Sequence, residues 1–257
     1  MGSIRLEYCE RVAFVRLNKG TIHAIDLDLV HHLNEALEKV RKDSGVRSLI
    51  LGSTNNKFFS IGFDIPHLFE LEREDFSVFY RAFNRLCIDL YTFPKPTIAA
   101  ITGHAIAGGC ILALCCDYRI ISEGRKLMGL NEIKLGVPVP YPGDWMVRYL
   151  IGIHNARKMM DLGEFYEPAD ALRLGIVDDV FPLQDVRGQS LEKAKMLGSL
   201  PPQAFQVIKQ NRVERVTAHM KEQLEEKEKV FIECWYAEET RERLKEAMKT
   251  FYTRRHT

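Results

Sequence analysis

The spacing of apolar and polar positions predicts that the chain begins with a strand hairpin followed by a helix. Residues 4–8 alternate in polarity and residues 12–17 are mostly apolar, a pattern typical of two strands joined by a tight turn. Apolar side chains then recur every three to four residues as far as Asp43, which indicates a helix with one buried face. Asp26 or Asp28 precedes this stretch and can cap the helix.

The same spacing predicts that strands and helices keep alternating through the first two thirds of the chain. Buried strands are predicted at residues 48–52, 97–101 and 118–122, and helices at residues 75–91 and 111–116. Such alternation is typical of an α/β architecture with parallel strands. A ligand would then sit at the connections that lead from a strand to a helix.

The last third of the chain differs because it has few strand signals. Helices are predicted at residues 184–200, 203–215, 220–236 and 238–251. We therefore divide the chain into a core of residues 1–197 and a helical region of residues 198–257. The helical region is expected to pack on the core or on another subunit.

The composition narrows the class of protein. Lys and Arg together number 36 and Asp and Glu 35, so the charge balance predicts neither nucleic acid nor a membrane surface as a partner. The first ten residues lack the apolar stretch of a signal peptide, and the longest apolar run, residues 105–116, is too short to span a bilayer. The six cysteines show no metal-binding spacing, and the chain is predicted to be metal-free and cytoplasmic.

Three segments combine glycine with residues that carry chemistry, namely residues 59–65, 101–110 and 128–136. Gly108 and Gly109 precede a predicted helix, where backbone N–H groups are unpaired and the helix dipole adds partial positive charge. Such groups bind an anion, or an oxygen that becomes one during a reaction. Taken alone, the glycine pair is explained equally well by close packing of the helix on a strand.

Together the three segments resemble the enoyl-CoA hydratase/isomerase (crotonase) superfamily. The string AGGCILALCCDYRI at residues 107–120 is similar to the central motif of that family, and FSIGFDI at residues 59–65 is similar to its other motif. The resemblance runs from about Val12 to Pro182. It implies an α/β fold, a crotonase-like spiral of ββα units, with a helical C-terminal trimerisation region.

The resemblance also implies how a substrate is held. In this family two backbone N–H groups form an oxyanion hole for the carbonyl of an acyl-CoA thioester, and by position they fall on Phe63 and Gly108. Coenzyme A enters as part of the substrate, so no separate cofactor is expected. Further substrate contacts are predicted for Ile61, Asp64, Ile65, Ala107, Gly109, Ile111, Leu130, Tyr141 and Trp145. Of these, Asp64 is expected mainly to cap the next helix, and Tyr141 and Trp145 to shape the acyl pocket.

The acid/base residue implied by the resemblance is Glu132. Hydratases of this family use two glutamates, and one of the two positions is occupied here by Ile111. A single carboxylate suits proton transfer from C2 to C4 of a 3-enoyl thioester, which moves the double bond. The segment GLNE at residues 129–132 is similar to the Δ3,Δ2-enoyl-CoA isomerase branch and favours that reaction. Leu130, Ile133 and Ile111 are expected to make the site apolar and to raise the pKa of Glu132.

Two other functions stay open on sequence grounds. Asp144 could supply the second group of a hydratase or of another crotonase-type reaction that uses Glu132, or the chain could bind acyl-CoA without turnover. Lys57, Lys249, Arg254 and Arg255 are candidates for contact with the coenzyme A phosphates. Because the helical region of this family usually builds a trimer, often paired into a hexamer, a homotrimer or hexamer is expected.

Several other polar residues are interpreted as structural. Asp117 and Arg119 are predicted to form an ion pair in the core. His23 and His104 are predicted to be structural histidines, although His104 lies close to the glycine turn.

Overall fold

The structure, a computed structural model, describes the backbone of residues 2–255 and the side chains of residues 2–249. Its strands are β1 (Ile4–Cys9), β2 (Val12–Leu17), β3 (Ser48–Ser53), β4 (Phe58–Ser60), β5 (Thr97–Ile101), β6 (His104–Ile106), β7 (Tyr118–Ser122), β8 (Met128–Gly129), β9 (Phe165–Tyr166) and β10 (Asp179–Phe181). Its helices are α1 (Leu27–Lys42), α2 (Ile65–Phe69), α3 (Arg73–Tyr91), α4 (Gly108–Leu114), α5 (Tyr141–Leu162), α6 (Pro168–Arg173), α7 (Val186–Gly198), α8 (Pro202–Tyr236) and α9 (Glu238–Arg255). A 3₁₀ turn, Glu132–Leu135, lies between β8 and α5.

The larger sheet has the order β1-β2-β3-β5-β7-β10 within the described residues. β1 and β2 are antiparallel, as the predicted hairpin requires, and the remaining neighbours in this sheet are parallel. Parallel strands that are covered on both faces are apolar throughout, and every residue of β5 is accordingly buried. The predicted α/β class with parallel pairing is confirmed.

A smaller sheet carries the segments that the sequence singled out. β4, β6 and β8 pair in parallel, and β9 adds to β8 in the antiparallel direction. Because β4, β6 and β8 are parallel, the chain leaves all three at the same edge of the sheet. The residues that follow each strand therefore meet there.

The helices of the core begin close to where the apolar spacing places them. Asp26 caps α1 by accepting a hydrogen bond from the N–H of Leu29 at 3.0 Å, which decides between the two predicted caps. α3 begins at Arg73, two residues before its predicted start, and α4 begins at Gly108, three residues before its own. The first turn of a helix is the part that apolar spacing locates least well.

The two helices predicted between residues 203 and 236 form one helix, α8, so the predicted break is wrong. Val213, Val216, Thr217 and Met220 are buried at intervals of three, one and three residues, so the buried stripe continues through the predicted break. No Gly or Pro stands there to end the helix. The predicted boundary between residues 197 and 198 falls at the end of α7, and the division into two regions stays a prediction.

α5 was not predicted. Pro142 and Gly143 occupy its first turn, and the helix is kinked at Gly152, whose φ is 73°. Proline is well tolerated in a first helical turn, but a glycine with positive φ interrupts the apolar spacing that marks a helix. The sequence signal of α5 is therefore weak.

The predicted ion pair between Asp117 and Arg119 is wrong. The guanidinium of Arg119 lies 3.0 Å from the carboxylate of Asp178, which precedes β10. The carboxylate of Asp117 instead contacts α8, where it lies 2.8 Å from Nζ of Lys209 and also contacts Arg212. The two residues thus join the core to two different segments, and Asp117 anchors α8.

Candidate active site

Three segments of the predicted site meet because they follow three neighbouring parallel strands. Phe63 lies three residues beyond β4, Gly108 two residues beyond β6 and Glu132 three residues beyond β8. The pairings of β4 with β6 and of β6 with β8 bring these residues to one edge of the smaller sheet. A cavity of about 600 Å³ opens at that edge.

The backbone N–H groups of Phe63 and Gly108 are available to a ligand. The pairing of Ile25 with this segment uses the carbonyl of Gly62 and the N–H of Asp64, at 2.8 and 2.9 Å, and leaves the N–H of Phe63 between them unused. Gly108 begins α4, so its N–H has no intrahelical acceptor. Within the part of the chain that the structure describes, neither group donates a hydrogen bond.

The two amides are held close together by backbone packing. A Cβ atom placed on Gly62 would lie 3.1 Å from the backbone N of Gly108, and one placed on Gly108 would lie 3.2 Å from the ring of Phe63. The Phe63 ring is fixed in turn by edge contacts with Phe79 and Phe83, each at a centroid distance of 4.9 Å. The two unpaired N–H groups therefore lie close together on the wall of the cavity.

The turn before α4 is strained. Ala107 has a φ of 48° and a ψ of −121°, a conformation that glycine adopts far more readily than alanine. Strain of this kind persists only where the surrounding structure enforces it, and it is concentrated at functional sites. Here it turns the chain sharply from β6 into α4 and leaves the N–H of Gly108 unpaired.

Glu132 is a buried carboxyl group on the wall of the same cavity. It is only 5% exposed, and no other described residue hydrogen-bonds to either of its carboxylate oxygens. Burial raises the pKa of Glu132 to about 8. A carboxyl group with this pKa can both take up and release a proton near neutral pH.

Six of the predicted site residues line this cavity, and they are Ile61, Phe63, Ile65, Ala107, Gly108 and Glu132. Asp64, Gly109 and Leu130 do not line it but adjoin residues that do. Asp64 caps α2 by accepting a hydrogen bond from the N–H of His67, as expected. Leu130 is fully buried, and Gly109 presses α4 against the Ser60 backbone.

Ile111 and Ile133 occupy positions different from those expected of an apolar lining. Ile111 is fully buried beneath the first turn of α5, where a Cβ atom on Gly143 would lie 2.7 Å from its Cγ1. Ile133 is 50% exposed and is not part of the lining of the Glu132 cavity, so its predicted place in the apolar wall is wrong. In a 3₁₀ turn adjacent side chains point in directions about 120° apart, so both cannot face one cavity.

Tyr141 and Trp145 line a second, adjacent cavity of about 550 Å³. Asp144 lies in the same cavity, where its carboxylate pairs with Arg148 one turn later in α5. Burial raises the pKa of Asp144, against the lowering effect of the Arg148 charge. The predicted second acid therefore stands outside the cavity that holds Glu132.

α8 contributes to the Glu132 cavity, a role that its sequence does not predict. Phe231 and Trp235 lie one helical turn apart and line the Glu132 cavity. Their rings stack with those of Tyr80 and Phe76 on α3, at centroid distances of 4.0 Å for Phe231 with Tyr80 and 4.4 Å for Trp235 with Phe76. The i, i+4 spacing of Phe231 and Trp235 indicates a buried helix face, but no local signal connects it with a motif about 100 residues earlier.

The mouth of the cavity carries basic side chains. Lys57 and Arg125 are exposed and line it. His104 also lies there, with its ring against Phe58 at 5.3 Å and its Nδ1 accepting the N–H of Leu127, which fits the predicted structural role. Of the other predicted phosphate contacts, Lys249 pairs with Glu246 at 2.6 Å, and the side chains of Arg254 and Arg255 lie outside the described residues.

The described residues contain neither a metal-binding cluster nor a membrane-spanning helix. No group of three or more His, Cys, Asp or Glu side chains is arranged to hold a metal ion there. None of the described helices has the length and apolar character needed to cross a membrane.

The sequence and two of its relatives point to the same family of proteins. The sequence model of the enoyl-CoA hydratase/isomerase family matches residues 7–257. The chain is 31% identical over 208 residues to mitochondrial enoyl-CoA delta isomerase 1 of Mus musculus, which covers 80% of this chain and 72% of that protein. It is 27% identical over 256 residues to a short-chain-enoyl-CoA hydratase of Clostridium acetobutylicum, which covers 99% of this chain and 96% of that protein.

The fold agrees with a solved structure as well. The crystal structure of human mitochondrial delta3-delta2-enoyl-CoA isomerase has a TM-score of 0.94 to this chain at 26% identity, over 98% of this chain and 99% of that one. The predicted crotonase-like α/β fold with long C-terminal helices is confirmed. The chain therefore belongs to the enoyl-CoA hydratase/isomerase family of enzymes.

Proposed function

We propose that the protein moves the double bond of a 3-enoyl-CoA to the 2-position, with Glu132 as the single acid/base group. One observation carries this proposal. Among the described residues, Glu132 is the one carboxylate on the wall of the cavity that also contains the free N–H groups of Phe63 and Gly108.

In the proposed reaction the thioester carbonyl accepts hydrogen bonds from the N–H groups of Phe63 and Gly108. Removal of a C2 proton turns this carbonyl into a dienolate oxyanion, which the two donors stabilise more strongly than the neutral carbonyl. Loss of one such donor typically costs about 3 kcal/mol of transition-state stabilisation. The donors need no reorganisation, because the strained turn at Ala107 and the packing around Phe63 already fix them.

Glu132 carries the proton between the two carbons. The ionised carboxylate takes a proton from C2, and the neutral carboxyl group delivers it to C4, so no net proton is gained or lost. Burial favours both halves of this cycle, because it makes the carboxylate more basic and keeps the neutral form stable until the proton is returned.

A hydratase is the alternative that the relatives bring forward, since one of them is a short-chain-enoyl-CoA hydratase. Addition of water in this family calls for two glutamates. Ile111 occupies the position of one of them, and it is buried beneath Gly143. Asp144 cannot replace that glutamate directly, because it lies in the second cavity and is paired with Arg148. These two observations favour the isomerase.

The coenzyme A phosphates are proposed to lie at the mouth of the cavity. Lys57 and Arg125 are exposed there and, within the described part of the chain, form no ion pair with an acidic side chain. Phosphate oxygens would be bound by Lys57 as a point charge and by Arg125 in a bidentate manner. The acyl group would then extend inwards to Glu132.

A homotrimer or hexamer is proposed for the assembly. Large apolar side chains are exposed along α5, at Tyr149, Leu150 and Ile153, and Ile153 is 74% exposed. Apolar surface of this kind commonly marks a contact with another subunit.

The decisive experiment compares Glu132→Gln with Asp144→Asn, two charge-neutral and nearly isosteric changes. With a 3-enoyl-CoA as substrate, Glu132→Gln is expected to lower kcat/KM by about 10²–10⁴-fold, the usual contribution of a general acid/base. Asp144→Asn is expected to lower it by less than about threefold, because Asp144 lies outside the site. Circular dichroism of both variants provides the folding control.

The outcomes separate the three functions. Full isomerase activity in Glu132→Gln would rule out the proposed mechanism. Hydration of a 2-enoyl-CoA that is lost equally in both variants would indicate a two-acid hydratase. Tight binding of acyl-CoA by the unmodified protein, with no turnover of either enoyl-CoA, would indicate a binding protein.

A further inference from the structure

The Glu132 cavity and the second cavity share two lining residues, Val137 and Phe231. Residues common to two cavities stand where the cavities meet. We propose that Phe231 and Val137 form a wall that stops the acyl chain and excludes long-chain acyl-CoA substrates. This inference rests on the proposed function, since it takes the Glu132 cavity as the acyl site.

The wall is placed where a growing acyl chain would meet it. The N–H of Val137 donates to the backbone carbonyl of Glu132 at 3.3 Å, so Val137 is fixed directly beside the proposed base. In the proposed reaction C2 and C4 both face Glu132. In the proposed binding mode, carbons beyond C4 lead away from the thioester and run towards Val137 and Phe231, the part of the lining next to the second cavity.

The aromatic half of the wall is rigid. The ring of Phe231 is buried and stacks on Tyr80 at 4.0 Å with an interplanar angle of 15°. Tyr80 is itself buried on α3, and Phe76 stacks on both rings from the same helix. Rotation of the Phe231 ring out of the path would break these contacts and lose their packing energy. A longer acyl chain is therefore not expected to displace the ring.

The space behind the wall could hold an acyl tail if the wall were removed. Its lining includes apolar and aromatic side chains, among them Val139, Tyr141, Trp145 and Met160. A tail that reached these surfaces would be removed from water, at roughly 0.8 kcal/mol per buried methylene. Removal of the wall should therefore produce a gain in affinity for long chains and not only a loss of packing.

The experiment measures binding of saturated acyl-CoA thioesters, hexanoyl-CoA and dodecanoyl-CoA, by isothermal titration calorimetry. Saturated thioesters have no double bond to move, so the result does not depend on isomerase activity. Phe231→Ala should allow two or more additional methylenes of dodecanoyl-CoA to become buried. We therefore expect it to lower the Kd for this thioester at least ~10-fold. The Kd for hexanoyl-CoA is expected to change by less than about threefold.

Two further variants make the test specific. Val137→Ala removes only two methyl groups and keeps the backbone hydrogen bond to Glu132, so it is expected to fold. Like Phe231→Ala, it is expected to lower the Kd for dodecanoyl-CoA relative to the Kd for hexanoyl-CoA. Phe76→Ala is the matched control, because Phe76 belongs to the same aromatic stack but lines neither cavity. It is expected to leave the ratio within about twofold of the unmodified protein, because the closer contact of Phe231 with Tyr80, at 4.0 Å, stays in place.

The inference is wrong if Phe231→Ala and Val137→Ala leave the dodecanoyl-to-hexanoyl ratio unchanged, or if Phe76→Ala shifts it as much as they do. It is also wrong if the unmodified protein already binds dodecanoyl-CoA far more tightly than hexanoyl-CoA. Failure of the proposed isomerase function would be recognised separately, by full activity of Glu132→Gln, whatever these affinities are.

Discussion

Glu132 is a carboxyl group that the fold buries without a partner. Its two oxygens receive no hydrogen bond from another described residue, and burying a charge under such conditions is costly. The raised pKa is the consequence, since the group avoids the cost by remaining protonated up to about pH 8. A fold selected for stability alone would place a leucine there, which supports the proposed acid/base role of this carboxyl group.

The raised pKa predicts the pH dependence of the reaction. A base must be ionised to accept the C2 proton, and the pH dependence of kcat/KM reports the pKa of the free enzyme. kcat/KM for a 3-enoyl-CoA is therefore expected to rise about tenfold per pH unit below pH 8 and to level off above it. Steady-state rates between pH 5.5 and 9.5 measure this profile.

Asp144→Asn serves as the control for the pH profile. Because Asp144 lies in the second cavity, its removal is expected to leave the midpoint near pH 8. A flat profile in the unmodified protein, or a midpoint that moves in Asp144→Asn, would contradict the assignment of the titration to Glu132.

At the scale of elements, the site depends on how closely α4 approaches β4. A Cβ atom on Gly109 would overlap the carbonyl oxygen of Ser60 and lie 2.7 Å from the Ser60 Cβ. The glycine therefore has the packing role that the sequence left open, and the same contact sets the position of the Gly108 N–H. The packing of Gly109 is therefore expected to affect both stability and the proposed reaction.

Gly109→Ala is expected to push the start of α4 away from β4. Overpacking of this kind typically costs about 1–3 kcal/mol of stability. If displacement of the Gly108 donor is complete, kcat falls by about 10²–10³-fold, the usual loss for one oxyanion-hole donor. Urea unfolding and isomerase kinetics on the same samples separate the two effects.

Gly188→Ala is the matched control for that substitution. Gly188 lies within α7, and a Cβ atom there would meet no atom within 4 Å. This change is expected to raise the free energy of unfolding by roughly 0.5–1 kcal/mol, because alanine favours the helix over glycine, and to leave kcat unchanged. Equal kinetic losses in the two variants would show that Gly109 has no special place at the site.

The elements differ in how far the sequence predicts them. α1 has regular apolar spacing and β5 is a short apolar run, and both are found close to where they are predicted. The single helix α8 was divided in two, although Val213, Val216, Thr217 and Met220 continue one stripe across the division. Helix length is hard to read from spacing alone, because a helix continues wherever tertiary contacts cover its apolar face.

At the scale of the whole molecule, the Glu132 cavity combines local motifs with a distant helix. Phe63, Gly108 and Glu132 belong to recognisable segments, and the parallel pairing of three strands brings them together. Phe231 and Trp235 lie about 100 residues further along the chain. Nothing in their own neighbourhood marks them as site residues, so only the packing of α8 on α3 reveals their place. The sequence therefore predicts the proposed chemistry better than the shape of the cavity.

The position of α8 depends on a buried ion pair at its other end. Lys209 and Asp117 have side chains that are 3% and 2% exposed, and the carboxylate of Asp117 also accepts hydrogen bonds from the N–H and the hydroxyl of Thr97. Arg212 adds a further contact that is partly exposed to solvent. Removal of Lys209 leaves the carboxylate buried with fewer partners.

Lys209→Met, which keeps most of the side-chain volume, is expected to lower the free energy of unfolding by roughly 2–3 kcal/mol, the upper range for a hydrogen bond to a charged group. Lys229→Met is the control on the same helix. Lys229 is 60% exposed and paired with Glu225, so its loss is expected to cost less than about 0.5 kcal/mol. Urea unfolding measures both.

Because Lys209 lies about six helical turns from Phe231, the affinity ratio for long and short acyl-CoA is expected to stay unchanged in Lys209→Met while stability falls. Equal stability of the two variants would mean that the aromatic stack with α3, and not Asp117, holds α8 in place.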